Sequence, residues 1–134
     1  MTLVDTSIVV AAFASWHEYH SAADRVVDGK ARLMAYCAIE AYSVLTRLPP
    51  PHRVAGRMVR DFLAARFPVP YVGLDAADYG GLIPRLVELG ISRGAAYDAL
   101  IAATARAADD ALVSCDRRAA QTYERIGVAF RLIG

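Results

Sequence analysis

Lysine and cysteine are scarce in this chain, and long apolar runs are missing. Lys30 is the only lysine, and fourteen of the fifteen basic residues are arginine. Cys37 and Cys115 are the only cysteines. Two are too few for a disulfide scaffold, and they lack zinc-site spacing. They are expected as small buried thiols in a reducing compartment, a redox switch being the alternative if they lie near a reactive site. The three histidines, His17, His20 and His52, have no matching metal ligands nearby in sequence. No run approaches the ~20 apolar residues of a membrane span, and the N-terminus lacks the basic start and cleavage site of a signal peptide. A cytoplasmic protein without membrane contact is the expectation. A net charge of +1 excludes whole-molecule electrostatic capture of nucleic acid, so any such binding needs a local patch. Arginine suits phosphate because its fork is planar and multidentate, but codon bias in a GC-rich genome also yields an arginine excess.

What is present is a 56% hydrophobic chain of 134 residues, long enough for one sizeable core and read as a single domain over 1–134. Residues 2–5 read as a short buried strand, followed by a helix over 7–14 with Thr6 or Ser7 as N-cap. A helix over 17–29 closes at Gly29. The remaining strands are expected at 31–36, 69–74, 111–114 and 128–133. The remaining helices are expected at 37–48, 52–67, 75–90, 94–108 and 116–127. Pro49–Pro51 stop the first of these. Ile39, Tyr42 and Leu45–Thr46 form its apolar face, and Val54, Met58, Phe62 and Ala65 that of the next. Strand and helix alternate, which implies an α/β sandwich with a mainly parallel sheet, helices on both faces, and ligands beyond the carboxyl ends of the strands.

Two acids stand at that edge. Asp5 follows LV in LVDTS, and Asp116 follows LVSC in LVSCD. They meet if the two strands are neighbours. Glu40 lies among Ile39, Ala41 and Val44, and Asp98 lies in a helix otherwise built of Ala, Leu and Ile. Acids in such surroundings are expected to be paired, hydrogen-bonded or metal-bound. Taken singly, Asp5 and Asp116 also suit helix caps, Glu40 a solvated face, and Asp98 the positive end of a helix dipole. Taken together, four oxygen donors without a histidine cluster favour a hard cation, Mg²⁺ or Mn²⁺.

DTS at 5–7, EAYSVL at 40–45, YDALIAATA at 97–105 and LVSCD at 112–116 together resemble the PIN domain, in the order and spacing of the VapC-like toxins of type II toxin–antitoxin pairs. The resemblance spans essentially the whole chain. It implies a PIN-like three-layer α/β/α sandwich with a mainly parallel central sheet, and a metal-dependent endoribonuclease. The quartet carried over is Asp5, Glu40, Asp98 and Asp116. Asp5, Asp98 and Asp116 would ligate the metal directly and Glu40 through water, with one or two Mg²⁺ or Mn²⁺ ions. Thr6 and Ser114 would be supporting hydroxyls, Ser114 standing where the family usually has Thr. The chain departs from the family after Asp116, where Arg117, Arg118, Ala119 and Ala120 replace further acids. The resemblance also implies an RNA substrate, a cognate antitoxin and a homodimer.

Arg53, Arg57, Arg93, Arg117 and Arg118 are candidate RNA contacts. The segment 47–66 is basic, with Asp61 its only acid, but helical arginines also serve a solvated face or a helix C-terminus. The apolar faces of 37–48 and 52–67 are the candidate antitoxin groove. Trp16, His17, Tyr19 and His20 could stack on unpaired bases or pack on the core, with His20 near the cleft. Two other readings compete. A phosphatase using Asp5 as nucleophile would want a second Asp where Ser7 stands. A catalytically silent PIN fold would bind RNA or protein without turnover.

Overall fold

The computed structural model describes residues 2–134. Its elements are β1 (Thr2–Val4), α1 (Thr6–Phe13), α2 (His20–Asp28), β2 (Ala31–Leu33), α3 (Ala35–Thr46), α4 (Gly56–Arg66), α5 (Ala76–Leu89), α6 (Ala95–Ala107), β3 (Ala111–Ser114), α7 (Ala120–Ile126) and β4 (Phe130–Leu132). The four strands form one all-parallel sheet in the order β2-β1-β3-β4. The helices flank it in two packed groups, α1–α4 and α5–α7. Leu3 and Val4 of β1 and Leu112 and Val113 of β3 are buried with Ile8, Val9, Met34 and Tyr123. Among the described residues no helix is long and apolar enough to cross a membrane.

The α/β reading and β3 at 111–114 hold. One expected strand, 69–74, is reduced to a single bridge, Val72 with Met34. The Val72 N–H donates to the Leu33 carbonyl at the end of β2 and its carbonyl accepts from the Ala35 N–H at the start of α3, and Pro68 and Pro70, which have no N–H, leave no ladder to extend. β2 stops at Leu33 rather than 36, because Met34 caps α3 in an extended conformation. The second helix begins at His20, not 17. It closes at Gly29 as expected, the Gly29 N–H donating to the Arg25 and Val26 carbonyls, and Lys30 follows in the left-handed region at φ 70°. Gly90 and Gly127 close α5 and α7, both left-handed.

The helices α3 and α4 are rotated from their expected faces. Cys37, Ala38, Ala41 and Leu45 point inward on α3, while Ile39 is 72% exposed and Tyr42 45%. On α4 Val59 and Leu63 are buried and Met58 is 54% exposed. Residues 52–55 are not helical, so Arg53 lies in the connection, its Nε donating to the Leu48 carbonyl. Asp116 does not cap α7, which begins only at Ala120.

Candidate active site

The strand order reverses at β1. The chain runs from β1 to β2 on one side and returns through α3–α6 to β3 on the other. In parallel sheets the crevice at such a reversal is where ligands bind. Val4 pairs with Val113, so Asp5 and the Ser114–Asp116 turn emerge side by side. The Asp5 N–H still donates to the Val113 carbonyl, 3.1 Å away.

Asp5 caps α1, its Oδ1 accepting from the Ile8 N–H at 3.3 Å and from the Ser7 hydroxyl. Capping and membership of the cluster are therefore not exclusive alternatives. Its Oδ2 accepts from the Tyr123 hydroxyl at 2.8 Å. The side chain is 2% exposed. Burial pushes the carboxyl above its usual range, against hydrogen bonds from Ser114, Ser7, Tyr123 and Ile8. A carboxylate so enclosed is poorly placed to attack phosphorus, which removes the phosphatase reading.

Glu40 is anchored from two sides. Thr6 Oγ1 donates to its Oε1, and the Tyr36 hydroxyl, one turn earlier on α3, donates to its Oε2 at 2.9 Å. Ser114 is fully buried, and its Oγ accepts from the Asp116 N–H at 2.9 Å and lies 3.3 Å from Ser7 Oγ. Ser7 Oγ also accepts from the Cys115 N–H at 2.9 Å. Four hydroxyls, those of Thr6, Ser7, Tyr36 and Ser114, thus stitch the ends of β1 and β3 and the start of α3 to the acids. Asp116 accepts from the Arg118 N–H at 3.0 Å and faces the Arg118 guanidinium at 3.3 Å.

Asp98 lies in the first turn of α6. Its carboxyl is pushed up to about 6, first by burial and then by the charge of Asp116, with Glu40 and Asp5 adding to it and Arg118 opposing. The charges of the other three acids are therefore felt at Asp98.

Glu40, Asp98 and Asp116 open into a cleft of about 550 Å³ that Thr6, Ser7, Glu18, Arg47, Cys115 and Arg118 also line, with Asp5 behind Ser7. A second cavity of about 370 Å³, between α5 and α6, contains none of the four. Among the described residues no three His, Cys, Asp or Glu side chains are gathered tightly enough to grip an ion unaided. The donor set nonetheless suits one. It is hard oxygen throughout, and the Asp98 carboxyl, raised first by burial and then by the charge of Asp116, is one that a divalent cation would stabilise in its charged form.

Of the arginines singled out, only Arg118 lines the cleft, and Arg47 joins it. Arg117 donates to the Gly134 carbonyl at 2.7 Å. Arg93 is exposed at φ 57° before α6, and Arg57 is exposed on α4. His20 is turned away, its Nδ1 2.8 Å from the Ala11 carbonyl, while His17 and Tyr19 line the cleft. Trp16 packs against His52, centroids 4.4 Å apart and planes tilted by 36°, and is 51% exposed. Cys37 is buried, and Cys115 half-buried beside Asp116; burial pushes both thiols up, away from the reactive thiolate.

Ser7, Tyr36, Tyr123 and Glu18 were missed as site residues. Ser7 carries a usable signal, being two residues after a strand-end acid where an N-cap side chain needs company. Tyr36 stands one helical turn before Glu40. Tyr123 is 118 positions from its partner, and no local pattern connects them.

Residues 2–125 match the PIN domain model. The chain belongs to the PIN-domain family. Within it, ribonuclease VapC40 of Mycobacterium tuberculosis is 48% identical over 133 residues, 99% of both chains, which places the chain among the VapC ribonucleases. Solved structures share the fold at lower identity. FitAcB from Neisseria gonorrhoeae superposes with a TM-score of 0.70 at 20% identity, covering 97% of this chain and 96% of that one. VapBC2 from Rickettsia felis, bound to a DNA fragment from their promoter, gives 0.67 at 16% identity, covering 99% and 98%.

Proposed function

We propose that this chain is a metal-dependent endoribonuclease and the toxin of a type II toxin–antitoxin pair, hydrolysing RNA phosphodiester bonds at the Asp5–Glu40–Asp98–Asp116 cluster. The observation that carries this reading is the convergence of acids from the ends of β1 and β3 and the first halves of α3 and α6 on one cleft. Asp5, Asp98 and Asp116 would hold Mg²⁺ or Mn²⁺ directly, with Glu40 acting through water. A divalent cation there lowers the pKa of water and offsets charge on the phosphate. Thr6 and Tyr36 fix the direction of Glu40, and Ser7 and Ser114 fix the backbone that presents Asp5 and Asp116. Arg47 and Arg118 are the guanidinium groups available to the RNA backbone at the cleft, and Arg53, Arg57, Arg93 and Arg117 could act only outside it.

The cognate antitoxin is a further part of the reading. Ile39 and Tyr42 on α3 and Met58 on α4 are large apolar side chains left outward, and they supply the groove for a short apolar segment. A homodimer is supported by the outward stripe Tyr79, Ile83 and Val87 on α5. A cytoplasmic setting accords with free cysteines.

The test is incubation of purified, antitoxin-free protein with total cellular RNA and Mg²⁺ or Mn²⁺. Discrete fragments are expected, disappearing with a chelator and with Asp116→Asn and returning when metal is restored to the wild type. The Arg118–Asp116 ion pair gives the silent-module reading its one foothold. RNA binding without cleavage in either metal would establish that module and overturn the nuclease.

A further inference from the structure

Beside the cleft two tyrosines are stacked. The rings of Tyr36 on α3 and Tyr97 on α6 are parallel within 3°, with centroids 5.8 Å apart, the offset arrangement that aromatic quadrupoles favour. Each ring is tied to the acidic cluster by a different route. Tyr36 donates its hydroxyl to Glu40. Tyr97 immediately precedes Asp98 on the first turn of α6. The two differ in exposure. Tyr36 is half-buried and packs against the core, whereas Tyr97 remains 57% exposed.

A stack made only to join α3 to α6 would gain most by burying both rings. Here the inner ring is fixed at its hydroxyl and by the core, and the outer ring is supported from behind while most of its surface stays in water. That is the construction of a platform. A flat ring already held in place loses little freedom when a second flat group settles on it, and every nucleobase has a face of the right kind. Its position, one residue from Asp98 and one hydrogen bond from Glu40, puts it where the base next to a phosphate in the cleft would lie.

We propose that Tyr97, backed by Tyr36, is a nucleobase-stacking subsite that takes an unpaired base adjoining the phosphate held at the acidic cluster. This rests on the ribonuclease reading for its substrate class, and it adds a requirement: the base beside the cut must be out of a duplex. Stacking reads no base edge, so the subsite selects for single-strandedness rather than sequence.

The probe is a fluorescently labelled single-stranded RNA octamer of randomised sequence, compared with an octamer of abasic ribose phosphates of the same charge, both titrated with the full-length protein carrying Asp116→Asn so that the strands stay intact, and with position 97 either native or substituted. In that background native Tyr97 and Tyr97→Phe are expected to prefer the RNA. Tyr97→Ala is expected to lose roughly ten- to a hundred-fold of affinity for it, the worth of one base–aromatic stack. On the abasic strand, which offers phosphate alone, all three proteins are expected to bind alike. Equal loss on both strands, or no loss on either, overturns the subsite. So does a fall in sedimenting mass on Tyr97→Ala without a change in RNA affinity, which would make the ring a protein contact. The two readings fail separately: wild-type protein that discriminates bases but cleaves no RNA removes the nuclease and keeps the platform. Cleavage by Tyr97→Ala at the wild-type rate and KM removes the platform and keeps the nuclease.

Discussion

Asp98→Asn is expected to abolish cleavage and, in the same protein, to raise the melting temperature of the metal-free form. The activity arm follows from the loss of a charged oxygen donor facing Asp116 across the cleft. Outer-shell partners of a metal site are worth about ten- to a hundred-fold, so a direct ligand should cost at least the upper figure. The stability arm follows from linkage. The folded carboxyl sits at about 6 against an ordinary value of 3.8. Between those values the folded chain holds a proton that the unfolded chain has released, so stability falls as pH rises through the window and stays lower above it. A shift of that size corresponds to about 3 kcal/mol for a fully enclosed group. Asp98 is only half-buried, and solvent screening reduces the cost to about 1 kcal/mol, or roughly 3–5 °C for a domain of this length. Asparagine removes the charge and keeps the shape. Melts in chelator near neutral pH should show the gain, and it should vanish at pH values near the ordinary carboxylate range. Were Asp98 only a partner for the α6 dipole, the same substitution would lower the melting temperature. The opposite sign separates the two accounts. Mn²⁺ should then stabilise the wild type by binding its folded form and leave Asp98→Asn nearly unmoved.

That antagonism between site and stability explains what was legible in the chain. Asp5 and Asp116 stand out because β1 and β3 are buried runs that end on an acid, and burial makes a carboxylate costly unless something needs it. Glu40 and Asp98 stand out for the same reason in helices otherwise apolar. The helix faces of α3 and α4 were not legible. In AYCAIEAYSVLT apolar residues lie nearly all round, so the 3.6-residue period has little contrast, and small residues at Cys37, Ala38 and Ala41 win the inward face because they let α3 approach its neighbours closely. Large residues at Ile39 and Tyr42 are then left outside. The strand expected at 69–74 failed because β-favouring Val and Tyr compete there with two prolines, and a ladder needs donors before it needs propensity. The hydroxyl partners were hidden for another reason: Tyr36, Ser7 and Tyr123 reach the acids through tertiary geometry, and Tyr123 reads from sequence as an ordinary core aromatic.

Tyr123 is where fold and site are the same object, and Tyr123→Phe should therefore damage both. The ring is 1% exposed and packs edge-on against Phe130 at 5.6 Å, contacts that phenylalanine preserves. Only the hydroxyl is lost, and with it a buried donor to Asp5 Oδ2. Hydrogen bonds to a charged group contribute about 1.5–3 kcal/mol, and here no water replaces the donor easily, so a fall of roughly 5–10 °C in melting temperature is expected near neutral pH. The loss should depend on pH in a fixed direction. The Tyr123 bond lowers an Asp5 carboxyl that burial has raised; removing it raises that carboxyl further, so the variant holds a proton at pH values where the wild type has released it. Its deficit should accordingly grow with rising pH and shrink on acidification. In the cleavage assay the Mn²⁺ concentration for half-maximal rate should rise about ten-fold, the scale of an outer-shell partner, while much of the rate at saturating Mn²⁺ returns, because Asp5 is still present and only its aim and charge have been loosened. A variant that melts like the wild type at every pH would remove Tyr123 from both roles. One that is less stable by a constant amount, with an unchanged Mn²⁺ requirement, would leave it as core packing and nothing more.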